Sequence, residues 1–232
     1  MSGPRPLNAE RYDMTGDRLA LTLCVTKARE GSEEDMDALS RMFHHLKFES
    51  TMKSDPTAEQ FLEELEKFQE TIDDREEPVS CAFVVLMAHG EEGLLKGEDE
   101  KMVRLEDLFD VLNNKNCKAL RGKPKHRDPG EEMGGEQVAA VMKSKPQTIP
   151  TYTDTLHIFS TVEGYLSYRH DEKGSAFIQI LTDVFTNNTG PITVLLEEVT
   201  RRMAEMEVIQ EGKPRKVNPE IQSTLRKALY LQ

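Results

Sequence analysis

A chain of 232 residues with 31% charged and 37% hydrophobic side chains has the composition of a folded globular protein, long enough for one large domain or two small ones. Its net charge of -12 excludes a general nucleic-acid or anionic-membrane binder, which needs clustered Lys and Arg to release counterions. No apolar run approaches the ~20 residues of a membrane helix, and the polar opening MSGPRPLNAERYDM has no apolar signal core. Three widely spaced cysteines with no CxxC pair point to a reduced, cytosolic protein with no metal framework and no cofactor.

Residues 1–17 form a short polar lead-in. Arg18 to Thr26, RLALTLCVT, is apolar almost throughout, the pattern of a strand buried on both faces. Met36, Leu39, Met42, Phe43 and Leu46 then recur at helical spacing, with Ser32 as the expected N-cap and acidic residues in the first turn. Phe48 to Lys53 suits a second strand. SDPTAEQFLEELEKFQETID opens on a capping box at Thr57/Gln60 and carries Phe61, Leu62, Leu65, Phe68 and Ile72 on one face. The acidic runs EEDMD and EELEKFQE fit solvated helix faces. Cys81 to Ala88 is a third buried strand that stops at His89-Gly90, and VRLEDLFDVLNN reads as another helix.

The order β-α-β-α-β-α predicts a mostly parallel sheet with helices on both faces. The next strand is missing. Cys117 to Pro150 is rich in Gly, Pro, Lys and Glu and reads as an exposed linker. The apolar pattern resumes with a strand at Leu156 to Ser160, a helix from about Ser175, an amphipathic helix in GPITVLLEEVTRRMAEM and a closing strand ending in Leu229-Tyr230-Leu231. The chain thus divides into a larger block over 18–125, a linker over 126–150 and a smaller block over 151–232.

His89 stands at a strand's carboxyl end, where open α/β sheets collect ligands, and Gly90 would let a backbone N–H approach a substrate oxygen. A histidine at a strand end is more often a satisfied structural group. Arg29, just beyond the first strand, reads as a solvated charge or as an anion-binding group. Arg169, among Tyr165, Leu166 and Tyr168, suits either carboxylate recognition or a stacked surface position. His44, His45, His126, His157 and His170 have no ligand spacing.

Together these stretches resemble the caspase family over nearly the whole chain. YDMTGDRLALTLCVTKAREGSEEDMDAL is similar to the family's opening strand and substrate-arginine loop, VVLMAHGEEG to its catalytic-histidine strand, STVEGYLSYRHDEKGSAFIQIL to its small-subunit substrate loop and helix, and STLRKALYLQ to its C-terminal strand. The resemblance implies a three-layer α/β sandwich and a cysteine endopeptidase acting after aspartate on protein or peptide substrates with an acidic P1. It makes His89 the acid-base partner of a cysteine, the Gly90 amide half of an oxyanion hole, Arg29 and Arg169 groups that bind the P1 carboxylate, and Leu166 and Tyr168 the S2 side. It further implies a homodimer, or a heterodimer with an intact caspase, located in cytoplasm and nucleus, with a role in epidermal differentiation. Linker cleavage would separate large and small subunits, and Asp128 is the only aspartate between His126 and Thr153.

One segment departs from the family. After Lys123-Pro124-Lys125 a caspase continues with an apolar interior strand ending in Gln-Ala-Cys-Arg-Gly, the source of the nucleophile. Here the chain passes directly to His126-Arg127-Asp128-Pro129-Gly130, as though about ten residues were excised. Cys24 and Cys81 lie inside predicted strands and Cys117 lacks a strand to aim it, so the polypeptide is expected to be inactive: a pseudoprotease or dimerisation partner, or an unstable product. Losing about four buried apolar side chains forfeits about 6–12 kcal/mol from a total of about 5–15. A marginal fold is expected, with Gln137 to Met142, QVAAVM, as a substitute strand.

Overall fold

The computed structural model describes residues 10–91, 93–121, 123–128, 136–137, 140–141, 151–160, 169–170, 174–206, 208–210 and 213–232. Its centre is built by β1 (Asp17–Cys24), β2 (Glu49–Ser54) and β3 (Val79–Glu91), with β1 parallel to both neighbours. The first helices are α1 (Ser32–His45) and α2 (Ala58–Asp73). The unbroken apolar runs of β1 and β3 have a direct cause, since each face of the sheet meets a separate core. Leu19, Leu21, Leu23, Val84 and Leu86 pack with Phe61, Leu65 and Phe68 of α2. Ala20, Cys24, Phe83, Val85 and Met87 face Leu39, Met42 and Phe43 of α1.

Thr57 caps α2 as its sequence predicts: its hydroxyl accepts from the Gln60 amide and Gln60 Oε1 accepts from the Thr57 amide. The start of α1 differs from expectation. Gly31, at φ 81°, is the N-cap, and Ser32 is already helical and buried. The chain must turn through the left-handed region there, and glycine does so without steric cost.

Beyond β3 come β4 (Leu94–Lys96), β5 (Met102–Arg104) and α3 (Leu105–Val111). Met102–Arg104 pairs antiparallel with β4, so the helix expected over VRLEDLFDVLNN begins only at Leu105. Next are β6 (Lys125–Asp128), β7 (Glu136–Gln137) and β8 (Ala140–Val141). The second block supplies β9 (Thr155–Phe159), β10 (Arg169–His170), β11 (Gly174–Ser175), α4 (Ala176–Asn187), α5 (Ile192–Glu205), β12 (Val208–Gln210), β13 (Lys213–Arg215) and β14 (Glu220–Ser223).

The main sheet runs β14-β9-β6-β3-β1-β2, parallel except for β14. This is the expected mostly parallel sheet with helices on both faces. β6 lies between β3 and β9, parallel to β3 with Ala82 opposite Lys125 and Val85 opposite Asp128. Lys125 is 0% exposed, and its Nζ donates to the Leu120 carbonyl at 3.0 Å.

The segment read as a linker therefore enters the fold early: Cys117 and Leu120 are buried in the α2 and α3 core. The stretch proposed as a substitute strand contributes in two pieces. Gln137 pairs with Ala88, while Ala140–Val141 pairs antiparallel with β6; Val138, Ala139 and Met142 lie outside the described residues. The closing strand also differs from expectation. The edge of the sheet is β14, whereas Leu229 and Leu231 are buried as core plugs and Tyr230 makes an isolated bridge to Pro191.

A buried carboxylate ties the lead-in to the second block. Asp154 accepts from the Tyr12 hydroxyl at 2.5 Å, from the Arg226 amide at 3.1 Å and from its guanidinium at 2.8 and 3.0 Å. Alongside, Tyr12 donates to the Ala228 carbonyl, and the Ala228 amide to that of Glu10.

Candidate functional site

β3 is buried through Ala88 and emerges at its carboxyl end, so the strand that fills the sheet's centre also delivers His89 half-exposed to the edge of the sheet. The chain then turns back: Gly90 pairs with Leu95 of β4 on one side of the strand, and His89 lies opposite Glu136 of β7 on the other. The His89 imidazole Nε2 sits 3.2 Å from the Ala28 carbonyl. This contact brings the histidine against the residue that precedes Arg29.

Arg29 is 1% exposed, the opposite of a solvated charge. Its Nη1 donates to the Val25 carbonyl at 3.0 Å, reaches the Met87 carbonyl at 3.5 Å and lies 3.1 Å from Cys24 Sγ. These contacts converge on one nitrogen of the guanidinium, and charge-assisted hydrogen bonds of this kind offset part of the cost of burial. The loop that carries it is held at both ends. Thr26 donates through its amide and hydroxyl to Asp55, which follows β2, and Ser32 donates to the Arg29 carbonyl. Ala28 takes φ 56°, a conformation unusual for a residue with a Cβ, at the point where its carbonyl meets His89.

Arg169 lies on β10 opposite Ser175 of β11. Leu166 and Tyr168 lie outside the described residues. The structure thus brings His89, Gly90 and Arg29 together at one end of β1 and β3, with the backbone of Arg169 on a hairpin docked to α1 through Asp35.

All three thiols are free and buried, and each has a neighbour other than His89. Cys24 meets Arg29, Cys81 contacts the Ala82 carbonyl, and Cys117 lies 3.7 Å from Asp73 Oδ1. Burial pushes the Cys81 and Cys117 thiols up to about 12. Cys24 is also raised by burial, with Arg29 pulling against it. A thiol held protonated is a poor nucleophile. Among the described residues no cluster of His, Cys, Asp or Glu has metal-binding geometry.

Asp35 and Asp55 are the structural anchors that sequence reasoning missed. Asp35 sits in EEDMD, read as a solvated face, yet it is 0% exposed. Its spacing from Leu39, Met42 and Leu46 places it on the buried stripe of α1, and that periodicity was the available signal.

The caspase domain model matches residues 17–230. Caspase-14 of Mus musculus is 74% identical over all of this chain and 98% of its own length. Caspase-14 of Homo sapiens is 70% identical, with both chains covered completely. Caspase-3 of Bos taurus is 31% identical over 87% of this chain and 77% of its own. The alignment with the human protein spans 242 positions, at least ten more than the 232 residues here. The chain belongs to the caspase family, the C14 peptidases.

Proposed function

We propose that this chain carries a caspase-type site for peptides with an acidic P1 residue and lacks the nucleophile to turn them over. One observation carries the reading: His89, Gly90 and the Arg29 loop converge at the end of the parallel sheet, while each of the three thiols is buried and bonded elsewhere. In the full reaction a cysteine thiolate attacks the peptide carbonyl, and the C–N bond breaks as protonated His89 passes its proton to the leaving amine. Water, deprotonated by His89, then hydrolyses the thioester and frees the cysteine, with the Gly90 amide stabilising each oxyanion. Arg29 and Arg169 select the P1 carboxylate by charge-assisted hydrogen bonds, and Leu166 and Tyr168 line S2. The ten-position shortfall against the human relative supports an excision that removed the nucleophile at Lys125–His126. Three free cysteines are in keeping with a cytoplasmic, and also nuclear, protein, and a role in epidermal differentiation follows from the family resemblance alone.

An aspartyl fluoromethyl ketone tests the reading. No thioether adduct is expected on the chain as it stands. An apolar strand ending in Gln-Ala-Cys-Arg-Gly, inserted between Lys125 and His126, restores labelling at the new cysteine. An adduct on Cys24, Cys81 or Cys117 of the native chain, or a folded insertion variant that stays unlabelled, overturns it.

A second reading, a non-catalytic partner of another copy or of an intact caspase, is favoured by β14. That strand ends the sheet's order beside a groove of about 520 Å³ lined by Leu156, Leu196 and Ile221. A sedimentation mass that stays monomeric at high concentration, alone and mixed with an intact caspase, sinks it.

A further inference from the structure

We infer that Asp35 is a positioning residue of the acidic-peptide site: it locks the hairpin bearing Arg169 to the helix that follows Arg29. The inference rests on the proposed role of the two arginines in binding a P1 carboxylate.

Asp35 lies in the first turns of α1 and is 0% exposed. Burying a carboxylate is unfavourable unless donors surround it, and here they come from the other block of the chain. The Ser175 amide donates to Oδ1 at 2.8 Å and to Oδ2 at 3.0 Å, and Gln179 Nε2 donates to Oδ1 at 3.0 Å. The partners are 140 residues apart in sequence.

Ser175 is a junction. It pairs with Arg169 in the β10–β11 ladder, and its side chain caps α4. A hairpin of two-residue strands cannot hold its own place, so the position of Arg169 depends on what β11 is fastened to. Gly174 allows the fastening. It takes φ 79°, and a Cβ there would collide with Asp35 Oδ1, so only glycine lets the hairpin backbone come this close.

The other end of the link is equally short. The Asp35 amide donates to the Gly31 carbonyl and the Ser32 amide to the Arg29 carbonyl, so one helical turn separates the carboxylate from the Arg29 loop. Arg29 itself is clamped by the Val25 and Met87 carbonyls. With Arg29 fixed to the sheet, Asp35 determines how far Arg169 stands from it. An error of ~1 Å in such a pair lowers discrimination steeply.

The test uses the full chain and two fluorescein-labelled peptides identical except for Asp or Asn at P1, with binding read by anisotropy and amide protection by hydrogen exchange. The native chain prefers the Asp peptide. Asp35→Ala and the isosteric Asp35→Asn reduce that preference on the order of tenfold and speed exchange at the Ser175 amide, while the β3 amides stay protected. If Asp35→Ala fails to fold, Asp35→Asn is read in the same way. A preference unchanged in a folded variant overturns the inference. If the native chain shows no preference for Asp, the carboxylate-binding reading fails by itself. Exchange then decides the lock: faster exchange at Ser175 in the variants sustains it, and unchanged exchange overturns it.

Discussion

Lys125 stands opposite Ala82 of β3 and opposite Thr155 of β9, so a buried lysine joins the two halves of the central sheet. Among the described register pairs it is the only β6 residue matched to both β3 and β9. A charged tetrapeptide fills this interior place in the sheet, with the Lys125 ammonium bound to the Leu120 carbonyl. Lys125→Ala leaves a void and removes the ammonium's bond to the Leu120 carbonyl, which keeps only the Lys123 amide, and is expected to cost about 2–4 kcal/mol. Lys125→Met keeps the volume and costs less than about 1.5 kcal/mol. Urea unfolding followed by far-UV circular dichroism checks both, and equal midpoints for the two variants would refute the argument.

The Asp154 clasp gives a graded pair. Tyr12→Phe deletes the hydroxyl's bond to Asp154 and its bond from the Arg226 amide, which keeps Asp154 as an acceptor, and lowers stability by about 1 kcal/mol. Asp154→Ala removes the buried acceptor of the Tyr12 hydroxyl and leaves the Arg226 amide only that hydroxyl to bond to, and lowers it by about 3 kcal/mol. The Arg226 ion pair adds little, because that side chain is half-exposed. Thermal melts of the two variants should rank in that order; a larger effect from Tyr12→Phe contradicts the assignment of Asp154 as the shared acceptor.

Buried thiols make stability fall in alkali. Cys81 and Cys117 move from an ordinary 9.0 up to about 12 on folding, because burial penalises the thiolate. The unfolded chain therefore loses these protons first. Their contribution is complete below pH 9 and disappears as pH rises toward 12. Tyr12, raised by burial and by Asp154, acts in the same direction. The urea midpoint should drop between pH 9 and about 12 on that account, and a Cys81→Ala, Cys117→Ala double variant should drop less. Parallel curves for variant and native protein would remove the thiols as the cause.

His89 has a consequence that only the insertion variant can show. With the cysteine strand restored, His89→Ala should lower kcat on an aspartyl peptide by about 10²–10⁴-fold, with the melting temperature little changed because His89 is only half-buried. A loss below tenfold, measured by release of a fluorogenic amine, would exclude the imidazole as proton carrier.

Much of the frame was legible because its signals are local. The continuous apolar runs of β1 and β3 announce burial on both faces, and the Thr57/Gln60 box marks the start of α2 without help from the rest of the fold. His89 was legible for a similar reason, as a polar break ending an apolar run. Arg29 and Asp35 were not. Their chemistry is that of surface residues, and their burial depends on carbonyls and amides from β3 and β11, far away in sequence. Lys125–Asp128 shows the same limit from the other side: no intrinsic preference makes KHRD a strand, and only the open hydrogen-bonding edges of β3 and β9 recruit it. Such pairing becomes visible only when the whole sheet is assembled.

Glu10 and Tyr12 bond to Ala228, and Tyr12 reaches Asp154 beside Arg226. The two terminal stretches of the chain are therefore neighbours. The backbone traces a nearly closed loop in which the order of strands does not depend on where the covalent path begins. A bridge running from the stretch after Ala228 back along the lead-in to Glu10, with new ends opened between β8 and β9, would keep every ladder of the main sheet and yield a circular permutant of the same architecture.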